Sequence, residues 1–263
     1  MDLELAGKSV IVTGGASNIG RSIVLRFAAE GAKITLADLD VEAGKRVADA
    51  AVAAGAADVN VVRTDVTQYD EVQALMQSAT SAFGTLDALV NNVGWDDMMY
   101  FTKTTPDFWQ KVISINYVSV LNTSHLALQY MAEHGGGSIV SISSDASRMG
   151  EPREAVYGGT KAAVNSFMKT VAKENGRYGI RCNTVCPGVT VPESSEELSE
   201  NSLWVNPLLD DQQLQKVAET LPLRKVGRPK DIANAVVFLS SQTAAGHITG
   251  QVLSVSGGYT MVG

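Results

Sequence analysis

Seven short apolar runs, each separated from the next by a longer stretch that is mostly helical in pattern, constrain this chain more than any other feature of its sequence. The runs are Ser9 to Thr13, Lys33 to Ala37, Val59 to Arg63, Leu86 to Asn91, Ser138 to Ser143, Ile180 to Val185 and Gln251 to Val255. Most are continuous and rich in β-branched residues, the pattern of strands buried on both faces of a parallel sheet. Helical periodicity lies near 19–30, 42–54, 68–83, 106–132, 155–178 and 229–240. Repeated βαβ units of this kind predict an α/β fold, one doubly wound domain over 1–263 with a seven-stranded parallel sheet flanked by helices. One segment breaks the rhythm. Val189 to Pro222 is a long polar insertion, read as a lid over about 189–222.

Charge and composition narrow the partners. The net charge is -7, with 28 acids against 21 bases, which leaves no basic footprint for nucleic acid or an anionic membrane. No apolar run approaches a membrane span, and MDLELAGKSVIVTGG has the character of neither a signal nor a transit peptide, so a cytoplasmic protein is expected. Cys182 and Cys186 fall in one predicted strand, about 13 Å apart at the usual rise, too far to pair with each other. Two cysteines and three histidines without ligand spacing predict no metal site.

The first strand runs into Thr13-Gly14-Gly15-Ala16-Ser17-Asn18-Ile19-Gly20 and then directly into a helix. Glycines at a strand-to-helix turn let the backbone approach a pyrophosphate, whose charge the helix N-terminus then meets. A simple tight turn is the alternative. Eighteen residues past Gly20, Asp38 closes the second strand in LADLD. A carboxylate there accepts from both hydroxyls of an adenosine ribose and repels a 2′-phosphate, which favours NAD over NADP; the alternative is that it caps the next helix.

The stretch from Gly137 to Asn165 carries a second signal. Tyr157 and Lys161, four residues apart on a predicted helix, share one face, and Ser144 ends the preceding strand. An ammonium beside a phenol favours phenolate, so the pair is a possible acid/base device. An ordinary helix pair with an ordinary strand-end serine is equally compatible with the spacing.

Taken together, these elements resemble the short-chain dehydrogenase/reductase family over essentially the full chain. The resemblance rests on Thr13-Gly14-x-x-x-Asn18-x-Gly20, Asp65-Val66, Asn91-Asn92-Val93-Gly94, Asn116, Ser144, Tyr157-x-x-x-Lys161 and Pro187-Gly188, in the family's order. It implies a Rossmann-type fold in which Gly14, Asn18, Ile19 and Gly20 line the pyrophosphate and Asp38 holds the adenine ribose. Asp65 and Val66 would border the adenine, and Asn92 and Gly94 would run beneath the cofactor. Lys161 would hold the nicotinamide ribose beside Tyr157. Pro187 and Gly188 would border the same end, with Thr190 the contact to the nicotinamide amide. It further implies Tyr157 as general base, held toward phenolate by Lys161 and by the positive nicotinamide of NAD+, with Ser144 on the substrate oxygen and Asn116 on a relay water; the alternative role for Asn116 is to satisfy a helix distortion. Two departures stand out: Asn18 replaces a glycine, and Val189-Thr190-Val191-Pro192 differs from the family's usual residues after Pro187-Gly188.

Substrate choice is expected from residues 95–100, 145–154 and 189–222, loops that border the cofactor crevice. Trp95, Met98, Met99, Met149 and Trp204 suggest an apolar pocket or ordinary loop packing. Within the family, residues 143–161, 92–96 and 250–263 are most similar to 2-hydroxycyclohexanecarboxyl-CoA dehydrogenases and to dehydrogenases of free cyclic or aromatic secondary alcohols. The lid, with six acids and no Lys or Arg between Cys182 and Gln215, offers little attraction to a CoA phosphate; only Lys103, Arg148 and Arg153 could compensate. The expectation is NAD-dependent oxidation of a small-molecule secondary alcohol to the ketone, with the thioester left open. A 3-oxoacyl carrier-protein reductase and a non-catalytic NAD-binding protein are the alternatives; the first usually takes NADPH and a basic docking surface, the second has no use for Ser144, Tyr157 and Lys161 together. Apolar stripes at Ala162, Val164, Phe167 and Val171 and at Ile115, Val118, Leu121 and Leu126 are wider than one buried face needs, and the resemblance implies a homotetramer.

Overall fold

A computed structural model describes residues 2–199 and 210–262. All seven expected strands form: β1 (Ser9–Thr13), β2 (Lys33–Asp38), β3 (Asp58–Arg63), β4 (Ala88–Asn91), β5 (Gly137–Ile142), β6 (Ile180–Pro187) and β7 (Val252–Val255). They make one parallel sheet in the order β3-β2-β1-β4-β5-β6-β7. The order reverses between β1 and β4, so the crevice at their carboxyl ends is the topological switch point where ligands bind in open α/β sheets.

The helices are α1 (Asn18–Ala29), α2 (Val41–Ala53), α3 (Tyr69–Phe83), α4 (Pro106–Ile113), α5 (Ser119–Glu133), α6 (Ala146–Met149), α7 (Ala155–Asn175), α8 (Asp211–Thr220), α9 (Pro229–Ser240) and α10 (Gln242–Ala245). Period-two alternation along the strands feeds two cores. Val10 and Val12 of β1 join Ile23 and Phe27 of α1 and Val236 of α9 on one face. Between them, Ile11 points to the other face, where Leu75 of α3, Met131 of α5 and Met168 of α7 lie.

Two differences from the sequence reading have local causes, and one alternative it left open is decided. The helix expected over 106–132 is interrupted by a π-turn at Ser114–Val118, where Asn116 Nδ2 donates to the Val112 carbonyl and takes a place in the helical ladder. Inside the insertion, α8 forms behind a capping box in which Asp210 accepts from the Gln213 backbone and Gln213 from the Asp210 backbone. The helix after β2 is capped by Asp40, which accepts from the Ala43 backbone, and not by Asp38. Trp204, named above, lies outside the described residues.

Candidate active site

The glycine turn after β1 is built for close approach. Gly14 holds φ +64°, and a Cβ on Gly20 would fall 1.8 Å from the Gly14 carbonyl oxygen, so only glycine closes this turn onto α1. Asn18 opens α1 at φ +48°, the left-handed conformation that Asn tolerates at little cost. Its Oδ1 is buried with no partner among the described residues. Ser17 makes no side-chain cap and α1 has no acid in its first turn, which leaves the helix N-terminus free for an anion. Ser17 Oγ instead accepts from the Ser199 backbone, tying the start of the insertion to the turn. Ile19, partly buried, packs against the α1 side of the core.

Asp38 reaches the same turn. Its Oδ2 accepts from Ala16 N at 2.9 Å and its Oδ1 from Asp40 N at 3.0 Å. Burial raises its carboxyl above the ordinary value, against the pull of these backbone donors. Lone pairs remain on both oxygens for ribose hydroxyls. Asp65 Oδ1 is engaged locally, accepting from the Thr67 backbone and hydroxyl, while Val66 is buried and its carbonyl accepts from Asn122. Asn92 Nδ2 donates to both Thr13 O and Gly14 O, fastening the end of β4 to the end of β1 at the switch point. An orphaned buried acceptor, a turn open only to glycine and a carboxylate at the end of β2 fit a bound dinucleotide.

Ser144, Tyr157 and Lys161 meet at the far side of the crevice. Ser144 follows β5, and its Oγ accepts from Ala146 N at 3.1 Å. Lys161 is buried and donates to the Ile142 carbonyl at 3.0 Å; its Nζ lies 5.6 Å from the centre of the Tyr157 ring. A Cβ on Gly94 would sit 3.2 Å from both Lys161 Nζ and Asn116 Oδ1, so these two groups share one notch. Asn116 grips the Trp95 backbone from both sides, accepting from its N–H and donating to its carbonyl.

The electrostatics of the chain by itself oppose phenolate at Tyr157. Burial pushes the phenol well above its ordinary value, Glu154 and then Asp96 push it further, and the Ser144 hydroxyl pulls it back only in part. Burial also lowers the Lys161 ammonium to about 8, which weakens the charge that was to act on the phenol. The four-residue spacing reports a shared face and is blind to this desolvation.

Behind the three groups lies a network the sequence reading missed. Asn165 Nδ2 donates to Ser147 Oγ at 2.7 Å, and Ser147 Oγ donates to the Ser144 carbonyl at 2.5 Å. Ser143 Oγ donates to the Lys161 carbonyl at 3.0 Å and lies 3.3 Å from Ser147 Oγ. The network joins the end of β5 to the middle of α7. Its only sequence signal was three serines around Ser144 and an Asn one turn past Lys161.

At the other end, Pro187 closes β6, and a Cβ on Gly188 would lie 2.6 Å from Ser256 Cβ. Thr190 is buried, donates to the Gly188 carbonyl and bridges Gly227. Of the apolar pocket candidates, Trp95 packs on α4, tilted against Phe108 at 5.9 Å and under Lys111 Nζ at 3.8 Å. Met98 and Met149 are exposed.

The family described as enoyl-(acyl carrier protein) reductase matches residues 14–260. A 3-oxoacyl-[acyl-carrier-protein] reductase FabG from Chlamydia muridarum is 34% identical over 258 residues, covering 98% of this chain and 99% of that protein. A 7alpha-hydroxysteroid dehydrogenase from Escherichia coli K12 is 33% identical over 257 residues, covering 98% and 96%. Among solved structures, a short-chain alcohol dehydrogenase candidate from Sinorhizobium meliloti 1021 superimposes with a TM-score of 0.87 at 27% identity, covering 98% of each chain.

Proposed function

The chain belongs to the short-chain dehydrogenase/reductase family, and from that premise we propose that it oxidises a cyclic or aromatic secondary alcohol to the ketone with NAD+. The observation that carries this reading is the convergence of Ser144, Tyr157 and Lys161 on the crevice that also receives Asp38 and the Gly14–Gly20 turn. When bound, NAD+ supplies the ring that accepts the carbinol hydride and a positive charge beside the phenol. Tyr157 takes the hydroxyl proton and Ser144 hydrogen-bonds the same oxygen as it becomes a carbonyl. Lys161, brought to about 8 by burial, gains and loses a proton near working pH and suits a relay behind the phenol. Asn116, in the same notch, holds the water that leads that proton to solvent.

Gly14, Asn18, Ile19 and Gly20 bind the pyrophosphate in this reading, Asp65 and Val66 border the adenine, and Asn92 and Gly94 lie beneath the cofactor. Pro187, Gly188 and Thr190 meet the nicotinamide. The choice of NAD rests on Asp38, which is free of capping duty because Asp40 performs it. The insertion over 189–222 acts as the lid of one domain spanning 1–263. The half-buried apolar residues of α5 and α7 pair between four copies, and two buried, unpaired thiols suit the reducing cytoplasm. Relatives named FabG and acetoacetyl-CoA reductase support a second reading, the same chemistry run toward the alcohol. The test is initial rates with a panel of cyclic and aryl secondary alcohols and either cofactor. NADH should form at least about tenfold faster than NADPH at equal cofactor concentration; strict dependence on NADP+ would reject the role given to Asp38.

A further inference from the structure

We infer that the segment after β7 sets the alignment of Ser144 with Tyr157, the two side chains that meet the substrate oxygen, and that Tyr259 acts there as a positioning residue. The inference rests on the dehydrogenase reading above. Ser144 follows β5 and Tyr157 lies in the first turn of α7, so residues 145–156 are the chain that joins them.

One stretch of chain grips that connection at three points. Asp145, buried directly after Ser144, accepts from Ser254 Oγ of β7 at 2.6 Å. Arg148 of α6 donates to the same hydroxyl at 2.7 Å and also to the Val262 carbonyl. Glu151 accepts from the Tyr259 hydroxyl, and the Glu151 carbonyl accepts at 3.1 Å from the backbone of Glu154, which caps α7. Helix α6 in turn lies hard against α7: a Cβ on Gly158, the residue after Tyr157, would sit 3.0 Å from the Ala146 carbonyl oxygen. A shift at Asp145 therefore reaches Ser144, and a shift at Glu151 or in α6 reaches Tyr157.

The gripping segment has its own anchors. Gly257 and Gly258 turn it at φ +64° and +89°. The Gly257 carbonyl accepts from Leu223 N at 3.0 Å, and a Cβ on Gly258 would fall 2.8 Å from Pro222 Cγ. Ser256 packs against Gly188 at the end of β6, and β7 itself pairs with β6. The adenine half of the crevice is remote from this support, since β7 lies four strands from β1, about 19 Å at the usual spacing. Reacting groups tolerate little displacement, about 1 Å costing up to about 10²-fold in rate. Loosening the grip therefore costs turnover and spares the dinucleotide. Tyr259 and Glu151 are both half-buried, so their contact can be broken without opening a core.

The experiment measures kcat for NAD+ reduction with a cyclic secondary alcohol in Tyr259→Phe, in Glu151→Ala and in the pair, each normalised to NADH-binding sites titrated by fluorescence. Each single variant should lose about tenfold in kcat while NADH affinity stays within about twofold of the parent. The pair should fall no further than the worse single variant, because both substitutions remove the same hydrogen bond. Tyr259→Phe takes away one oxygen and carries the test if Glu151→Ala fails to fold. A kcat equal to the parent in Tyr259→Phe, losses that multiply in the pair, or an equal loss of NADH affinity overturns the inference alone. Absence of NADH formation by the parent from every cyclic and aryl alcohol overturns the dehydrogenase reading, and this inference with it.

Discussion

Asn165 touches none of the reacting groups, yet its amide bonds Ser147, which holds the Ser144 carbonyl, while the adjoining Ser143 holds that of Lys161. It is a positioning residue. Asn165→Ala leaves Ser147 without its donor in a partly buried site, a loss of about 1–3 kcal/mol in stability. At temperatures where the variant stays folded, kcat should fall about tenfold or more with the KM for NAD+ unchanged, because the turn after β1 is untouched; Asn165→Gln, which keeps an amide donor for Ser147, should recover part of it. Equal falls in kcat and in NAD+ affinity would mean general damage. At this scale the sequence spoke clearly where chemistry depends on spacing: Gly20 and Asn18 take the backbone conformations their types allow, and Asp38 reaches back to the glycine turn. It was silent where burial decides. The spacing of Tyr157 and Lys161 placed them on one face but hid the desolvation that raises one and lowers the other.

Strands and long helices were legible because their cores demand uninterrupted apolar runs, and their ends fall within a few residues of the expectation. The π-turn at Ser114–Val118 was legible only as the alternative role of Asn116, since a side-chain hydrogen bond from that residue accompanies it without disturbing the apolar periodicity. The helix α8 had a readable signal, Asp210-x-x-Gln213, masked by the polar character of the insertion. Two helices carry the assembly proposal. Val164 and Val171 of α7 are core, but Ile115 and Val118 of the π-turn and Leu121 and Leu126 of α5 remain half-buried, as does Phe167 of α7, which meets the edge of Tyr117. Surfaces of this kind lie across two neighbouring helices and suit pairing with their own symmetry copies. Light scattering should give a mass about four times the 27.8 kDa chain, and Leu121→Glu should lower it; a parent mass equal to one chain would reject the tetramer.

Across the whole molecule, the sheet order decides where chemistry can occur. The reversal between β1 and β4 opens a crevice at their carboxyl ends, and the same end of β5 delivers Ser144. Residues separated by more than a hundred positions, Gly14 and Tyr157 among them, reach one crevice only because every strand runs parallel. The most direct test is Tyr157→Phe, which removes one oxygen. NADH affinity measured by fluorescence and NAD+ reduction with a cyclic secondary alcohol should part company: binding within about twofold of the parent and turnover lower by about 10²–10⁴-fold. Turnover equal to the parent would contradict the role of the phenol and the proposed mechanism.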